Sequence, residues 1–120
     1  MKTLKFAPGN SLVLISENLR SKPPEPILTG MVSYNSTCVE VACLPEVDGE
    51  TTFHFGKVQE VPAGLEMVFD GFLETPGGTL IVATVEEEIL FEDKVTDAST
   101  RVRVWLSHPR WPDTVVIGWG

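Results

Sequence analysis

The side chains able to do chemistry in this sequence are few. Two histidines, His54 and His108, and two cysteines, Cys38 and Cys43, stand beside a large stock of carboxylates. Nucleophilic hydrolysis needs a nucleophile, a base and a group that orients the base. Ser107 precedes His108 in Ser107-His108-Pro109-Arg110-Trp111-Pro112, but neighbours along an extended, proline-braced loop do not make a triad. Zinc could draw on Cys38, Cys43, His54 and His108, yet the sequence has neither CxxC nor HxxxH spacing. Glu86, Glu87, Glu88, Glu92 and Asp93 could offer oxygens to calcium, but the D-x-D-x-D-G loop is missing. A carboxylate pair for glycoside chemistry is no signal in a chain with 17 acidic residues. Neither GxGxxG nor GxxxxGK[ST] occurs to cradle a phosphate. The expectation is a protein without catalytic residues, metal or cofactor.

Binding chemistry is better represented. Trp105, Trp111 and Trp119 fall within the last sixteen residues, with Arg110 among them and Arg101 and Arg103 just before. The plain structural reading makes these rings core or end-cap residues, because aromatics dominate core energetics. Trp and Arg are also the types most enriched in interface hot spots, so Arg103, Trp105 and Trp111 are candidate contacts for a protein partner. Exposed tryptophan can equally stack on a sugar ring, so a carbohydrate- or small-ligand-binding module is the alternative. The two functional readings differ in what Trp105 and Trp111 must expose.

The charge has a location as well as a sign. The formal net charge is −8, which disfavours nucleic acid and anionic membrane as partners. Residues 1–40 carry +1, residues 41–93 carry −11 and residues 94–120 carry +2. The acidity therefore belongs to the middle strands and their turns. Glu46, Asp48, Glu50, Glu86, Glu87 and Glu88 would form one acidic patch if the fold brings their turns together. Such a patch is either a solvated rim that keeps β edges apart or a docking surface that steers a basic partner.

These side chains must be positioned by β-structure. Fifteen Val, eleven Thr and five Ile stand against five Ala, a balance that suits pleated surfaces rather than helices. The expected strands are Ser11 to Ser16, Gly30 to Tyr34, Thr37 to Leu44, Thr51 to Val58, Leu65 to Glu74, Thr79 to Val85, Ile89 to Val95, Thr100 to Ser107 and Thr114 to Trp119, with nine an upper count. Asp48-Gly49 and Pro76-Gly77-Gly78 read as hairpin turns between the strands that flank them. In Thr100 to Leu106, Val102, Val104 and Leu106 share one face and Arg101, Arg103 and Trp105 the other. Phe53 and Phe55 share a face opposite His54, and Leu65, Met67 and Phe69 a face opposite Glu66 and Val68. Thr79 to Val85 is apolar on both faces, as for a central strand covered on each side.

Between Thr84 and Asp97 the choice is strand against helix, and the period-two spacing of Ile89, Phe91 and Val95 favours strand. Lys22-Pro23-Pro24-Glu25-Pro26 is an extended connection over the surface. With 120 residues, scaling gives about 6,400 Å² of folded surface against about 19,000 Å² unfolded, enough burial for one domain with a real core. The fold class expected is all-β: an antiparallel β-sandwich of eight or nine strands in a single domain over residues 1–120, or a flattened barrel.

Cys38 and Cys43 lie five positions apart on one expected strand, so they point to opposite faces about 16 Å apart and read as reduced, buried thiols. The N-terminal region has no apolar run long enough for a secretion signal, and Gly, Pro or charge interrupts every hydrophobic stretch short of a membrane span. These features predict a soluble, cytoplasmic protein, either a monomer or a homodimer joined at edge strands.

The order Val61-Pro62, Gly64-Leu65-Glu66-Met67-Val68, Thr100-Arg101-Val102-Arg103-Val104-Trp105 and Asp113-Thr114-Val115-Val116-Ile117 resembles the layout of the competence protein J group. Gly30-Met31-Val32-Ser33-Tyr34 and the Gly-bounded run into Thr51 to Phe55 are similar in order, and Ala98-Ser99 stands where that group usually has Gly. The resemblance spans residues 26 to 119 and implies a small β-sandwich. It also implies a non-enzymatic inhibitor of a basic enzyme such as a nuclease. It assigns no residue a role.

Overall fold

The computed structural model describes residues 1–26, 30–62 and 64–120. Among the described residues, ten strands form two five-stranded sheets. The strands are β1 (Lys2–Phe6), β2 (Leu12–Ser16), β3 (Val32–Tyr34), β4 (Cys38–Ala42), β5 (Thr51–Lys57), β6 (Glu66–Glu74), β7 (Thr79–Thr84), β8 (Ile89–Lys94), β9 (Ser99–Leu106) and β10 (Thr114–Trp119). One sheet runs β1-β5-β10-β9-β6 and the other β3-β4-β2-β7-β8. All nine expected strands are present. The tenth, β1, was not anticipated because Lys2 and Lys5 interrupt its pattern; its apolar residues Leu4 and Phe6 pack against the core from an edge position. The sandwich is antiparallel except where β5 and β10 run parallel. The accessible surface is 6520 Å², close to the roughly 6,400 Å² that scaling gives for a folded chain of this mass.

The core lies between the sheets. Phe53, Phe55, Leu73, Val102, Val104, Val115 and Ile117 of the first sheet meet Val13, Ile15, Val39, Val41, Leu80 and Val82 of the second. Phe55 stacks on Phe91 with ring centroids 5.4 Å apart. The alternation expected in β9 is observed, with Val102, Val104 and Leu106 inside and Arg101, Arg103 and Trp105 on the outer face. β7 is covered on both faces, though it sits one strand in from an edge. Leu80 and Val82 face the core, while Ile81 and Ala83 line clefts with Leu19 of the chain that follows β2. The proline-rich segment crosses this surface as an extended connection, held where Asn35 Nδ2 and Ser33 Oγ donate to the carbonyls of Lys22 and Glu25.

Several local expectations are corrected. Neither Asp48-Gly49 nor Pro76-Gly77-Gly78 closes a hairpin, since each connection carries the chain from one sheet to the other. A turn dipeptide specifies reversal of direction, not the hydrogen-bonding partner. At Asp48 the chain winds into a 3₁₀ turn, Glu46–Asp48, and leaves through Gly49 at φ 117°. At the second connection Thr75 is anchored instead to β9, its hydroxyl 2.8 Å from the Asp97 carbonyl and 2.7 Å from Thr100 Oγ1. A β-bulge between Met67 and Phe69 takes up one residue, so Phe69 enters the core while Met67 is 49% exposed. A second register shift, in the β7–β8 pairing at Val82/Ala83, leaves Ile89 exposed although Phe91 and Val95 are buried. Cys38 and Cys43 are both free and buried, on opposite faces as their spacing requires.

Candidate functional site

Strand register decides which loops share an end of the sandwich. In the first sheet Phe6 pairs with Thr51, Thr52 with Thr114, Leu106 with Val115 and Glu66 with Leu106. In the second, Leu12 pairs with Ala42, Val13 with Thr84 and Ala83 with Ile89. The sheets are tied at this end by the Leu44 N–H on Thr51 Oγ1 at 3.3 Å and by the 3₁₀ turn Gly9–Ser11, which packs on Glu46–Asp48. The turns bearing Glu46, Asp48 and Glu50, the turn bearing Glu86, Glu87 and Glu88, and the loop bearing Trp111 therefore all sit at one end. Glu86 reaches across to Gly9, so the two acidic turns border the same 3₁₀ turn.

Each of these segments is held by its own backbone. Thr84 serves the acidic β7–β8 turn three times: its carbonyl accepts from Glu87 N, its amide donates to Glu88 O, and its hydroxyl accepts from Glu88 N. Glu87 takes the left-handed conformation at φ 69° that this tight turn demands. Around Val47, Asp48 N donates to Pro45 O and Gly49 N to Glu46 O. In the β9–β10 loop His108 Nδ1 accepts from the amides of Arg110 and Trp111 at 3.0 Å, which places the ring proton on Nε2. Ser107 Oγ donates to Asp113 Oδ1 at 2.8 Å rather than engaging His108. His54 Nδ1 bonds Thr3 Oγ1 on the outer face of the first sheet. Among the described residues no three His, Cys, Asp or Glu side chains are grouped to hold a metal ion.

The candidate contact residues are not all together. Trp111 is 59% exposed at the acidic end. Trp105 lies one residue inside that end, half-buried over Gly118 beside Val61, and pairs across strands with exposed Met67. Trp119 faces the other end, its indole N–H donating to Asp93 Oδ2 at 2.8 Å. Arg103 lies farther along β9, beside Asp70, away from the acidic turns. Asp70 is bound bidentately by Arg101 at 2.8 and 2.6 Å, and that guanidinium holds its carboxyl below the usual carboxylate range.

Sequence reasoning missed the apolar members of the acidic end. Val47 is 92% exposed at the tip of its turn, and Val85 is 44% exposed beside Glu86. A signal for Val47 was present: one valine between two acids, bounded by Pro45 and Gly49, has no route into a core. Met67 had no such signal, because the bulge that turns it outward is set by pairing with β9. Glu66 and Asp113 add carboxylates at the same end.

No protein-family model matches the chain, and no curated protein matches it. Among solved structures it is similar to ComJ from Bacillus subtilis, described as an inhibitor of the DNA degrading activity of NucA. The two share 11% identity, the alignment covers 99% of this chain and 94% of that chain, and the TM-score is 0.70. The likeness is one of fold, and it is the fold implied by the residue order read from the sequence. No described helix is long and apolar enough to cross a membrane.

Proposed function

We propose that this protein is a non-enzymatic, cytoplasmic binding protein that inhibits or assists a basic enzyme such as a nuclease, docking through its acidic end. The observation that carries the reading is the gathering of Glu46, Asp48, Glu50 and Glu86 to Glu88 at one end together with exposed Val47, Val85 and Trp111. Carboxylates alone would serve solubility; an exposed tryptophan and apolar side chains rimmed by carboxylates on braced turns have the layout of an interface, an apolar centre inside a polar rim. The charge steers and orients the encounter, and Trp111 and Val47 supply the contact from which water is excluded. Trp105 and Met67 continue the surface along β9 and β6, with Arg103 on its flank. The shared fold with a nuclease inhibitor supports the choice of partner class.

The test is inhibition. Purified protein titrated into DNA-degradation reactions of the basic nucleases of its source is expected to inhibit one of them stoichiometrically, less strongly as salt rises. Absence of inhibition across those enzymes, or inhibition indifferent to salt, would remove the nuclease assignment.

A further inference from the structure

At the end opposite the acidic turns, β6, β9 and β10 border a groove of about 390 Å³ lined by Phe72, Thr96, Asp97, Arg101, Arg103 and Trp119, among others. That volume lies toward the small end of ligand pockets, about 300–1,000 Å³. Three features give it chemistry. Phe72, the cross-strand partner of Arg101, is 64% exposed on the outer face. Trp119 forms another part of the wall, its orientation set by the bond to Asp93.

The third feature is a deficit of negative charge at the guanidinium groups. Arg101 and Arg103 share one carboxylate, Asp70, and Arg101 occupies both of its oxygens. Arg103 Nε is left 3.9 Å from Asp70 Oδ1, buried and with no hydrogen-bond partner. A buried donor without a partner is rare enough to need an explanation. Asp97 lines the same groove, while the ion pairs of both arginines run to Asp70.

We propose that this groove binds a carboxylate carried on a ring, with the ring against Phe72 and the carboxylate on the solvent-facing part of the Arg103 guanidinium, whose side chain is 24% exposed although its Nε is shielded. An aromatic face beside a guanidinium meets such a ligand on both its apolar and its charged sides. Threonine and serine hydroxyls on the wall would take further polar groups of the ring. Acidic saccharides and aromatic acids share this chemistry. The groove shares only Arg103 with the flank of the docking surface, and ligand binding is read separately from nuclease inhibition, so its failure leaves that reading untouched.

The experiment is an NMR titration of the full chain that follows the arginine Nε–H resonances with three probes: tri-galacturonate, benzoate and a neutral trisaccharide. The expected result is a saturable shift of the Arg103 Nε–H with one or both carboxylates and a much weaker response to the neutral sugar. Saturation by tri-galacturonate alone identifies a saccharide, and by benzoate alone an aromatic acid; either supports the proposal. R103Q should weaken binding about tenfold or more, and F72L several-fold, with the amide spectrum confirming that both variants fold. No saturation by either carboxylate up to ~10 mM, equal binding of the neutral sugar, or undiminished binding by R103Q would overturn it.

Discussion

The carboxyl group of Glu86 lies against Gly9: a Cβ built on Gly9 would meet Glu86 Cδ at 3.1 Å and its Oε1 closer still. This contact joins the β7–β8 turn to the Gly9–Ser11 turn, which in turn packs on Glu46–Asp48. Two acidic segments some forty residues apart thereby become one surface. Like charges brought together in this way repel, so the arrangement costs stability in the free protein, a cost that a cationic partner would offset.

Charge reversal at Glu86, Glu87 and Glu88 to Lys is expected to slow association with the partner about tenfold at low ionic strength and to flatten its salt dependence, while dissociation changes less. Stopped-flow or surface-based kinetics at several salt concentrations would show this. Unchanged association would assign the acids to solubility alone.

Trp111→Ala is expected to raise the dissociation constant about thirtyfold, equivalent to ~2 kcal/mol, as for an interface anchor. The ring is exposed, so the urea midpoint should not move. Parallel loss of stability and binding would instead make Trp111 a structural brace.

Two glycines separate soft from hard contacts. A Cβ on Gly118 would meet Val61 Cγ2 at 3.0 Å, Trp105 Cζ3 at 3.1 Å and the Val58 backbone at 3.3 Å. Gly118→Ala should therefore destabilise by about 1–3 kcal/mol in urea denaturation. Gly9→Ala meets only the far end of the flexible Glu86 side chain and should stay within about 0.5 kcal/mol of the parent.

The Cys38 thiol is pushed up to about 11 from 9.0 by burial, with Glu40 adding to the shift. Burial also raises Cys43, against an opposing hydrogen bond with Thr51. A group whose value is higher folded than unfolded holds its proton longer in the folded chain. Its contribution to stability is thus complete below pH 9.0 and is lost as pH rises through about 11. Urea midpoints should fall across that interval, and Cys38→Ala should reduce the fall. At pH 8 native Cys38 should resist alkylation that proceeds readily once the chain is unfolded.

Thr75→Val would leave the Asp97 carbonyl and the Thr100 hydroxyl, buried beside β9, without their shared partner. A loss of about 1–3 kcal/mol is expected in denaturation. A smaller change would mean that Thr100 turns to the Asp97 carbonyl itself.

By itself the sequence determined nine of the ten strands and most of their inward faces, because alternation such as Val102, Val104 and Leu106 against Arg101, Arg103 and Trp105 is a local property with period two, whereas Lys2 and Lys5 hid β1. It also determined that the acids lie in turns, since Glu46 to Glu50 and Glu86 to Glu88 are bounded by turn chemistry. Tertiary structure decided what those local signals leave open. Partners in a sheet are chosen by packing between distant segments, so Asp48-Gly49 became a crossing between layers. Inward and outward faces at Met67 and Ile89 were set by register shifts that only the neighbouring strand imposes. The convergence of two acidic turns with Val47 and Trp111 on one end follows from the register of both sheets together. So does the separation of Arg103 from that end: side chains far apart in the chain acquire a distance only when strands pair.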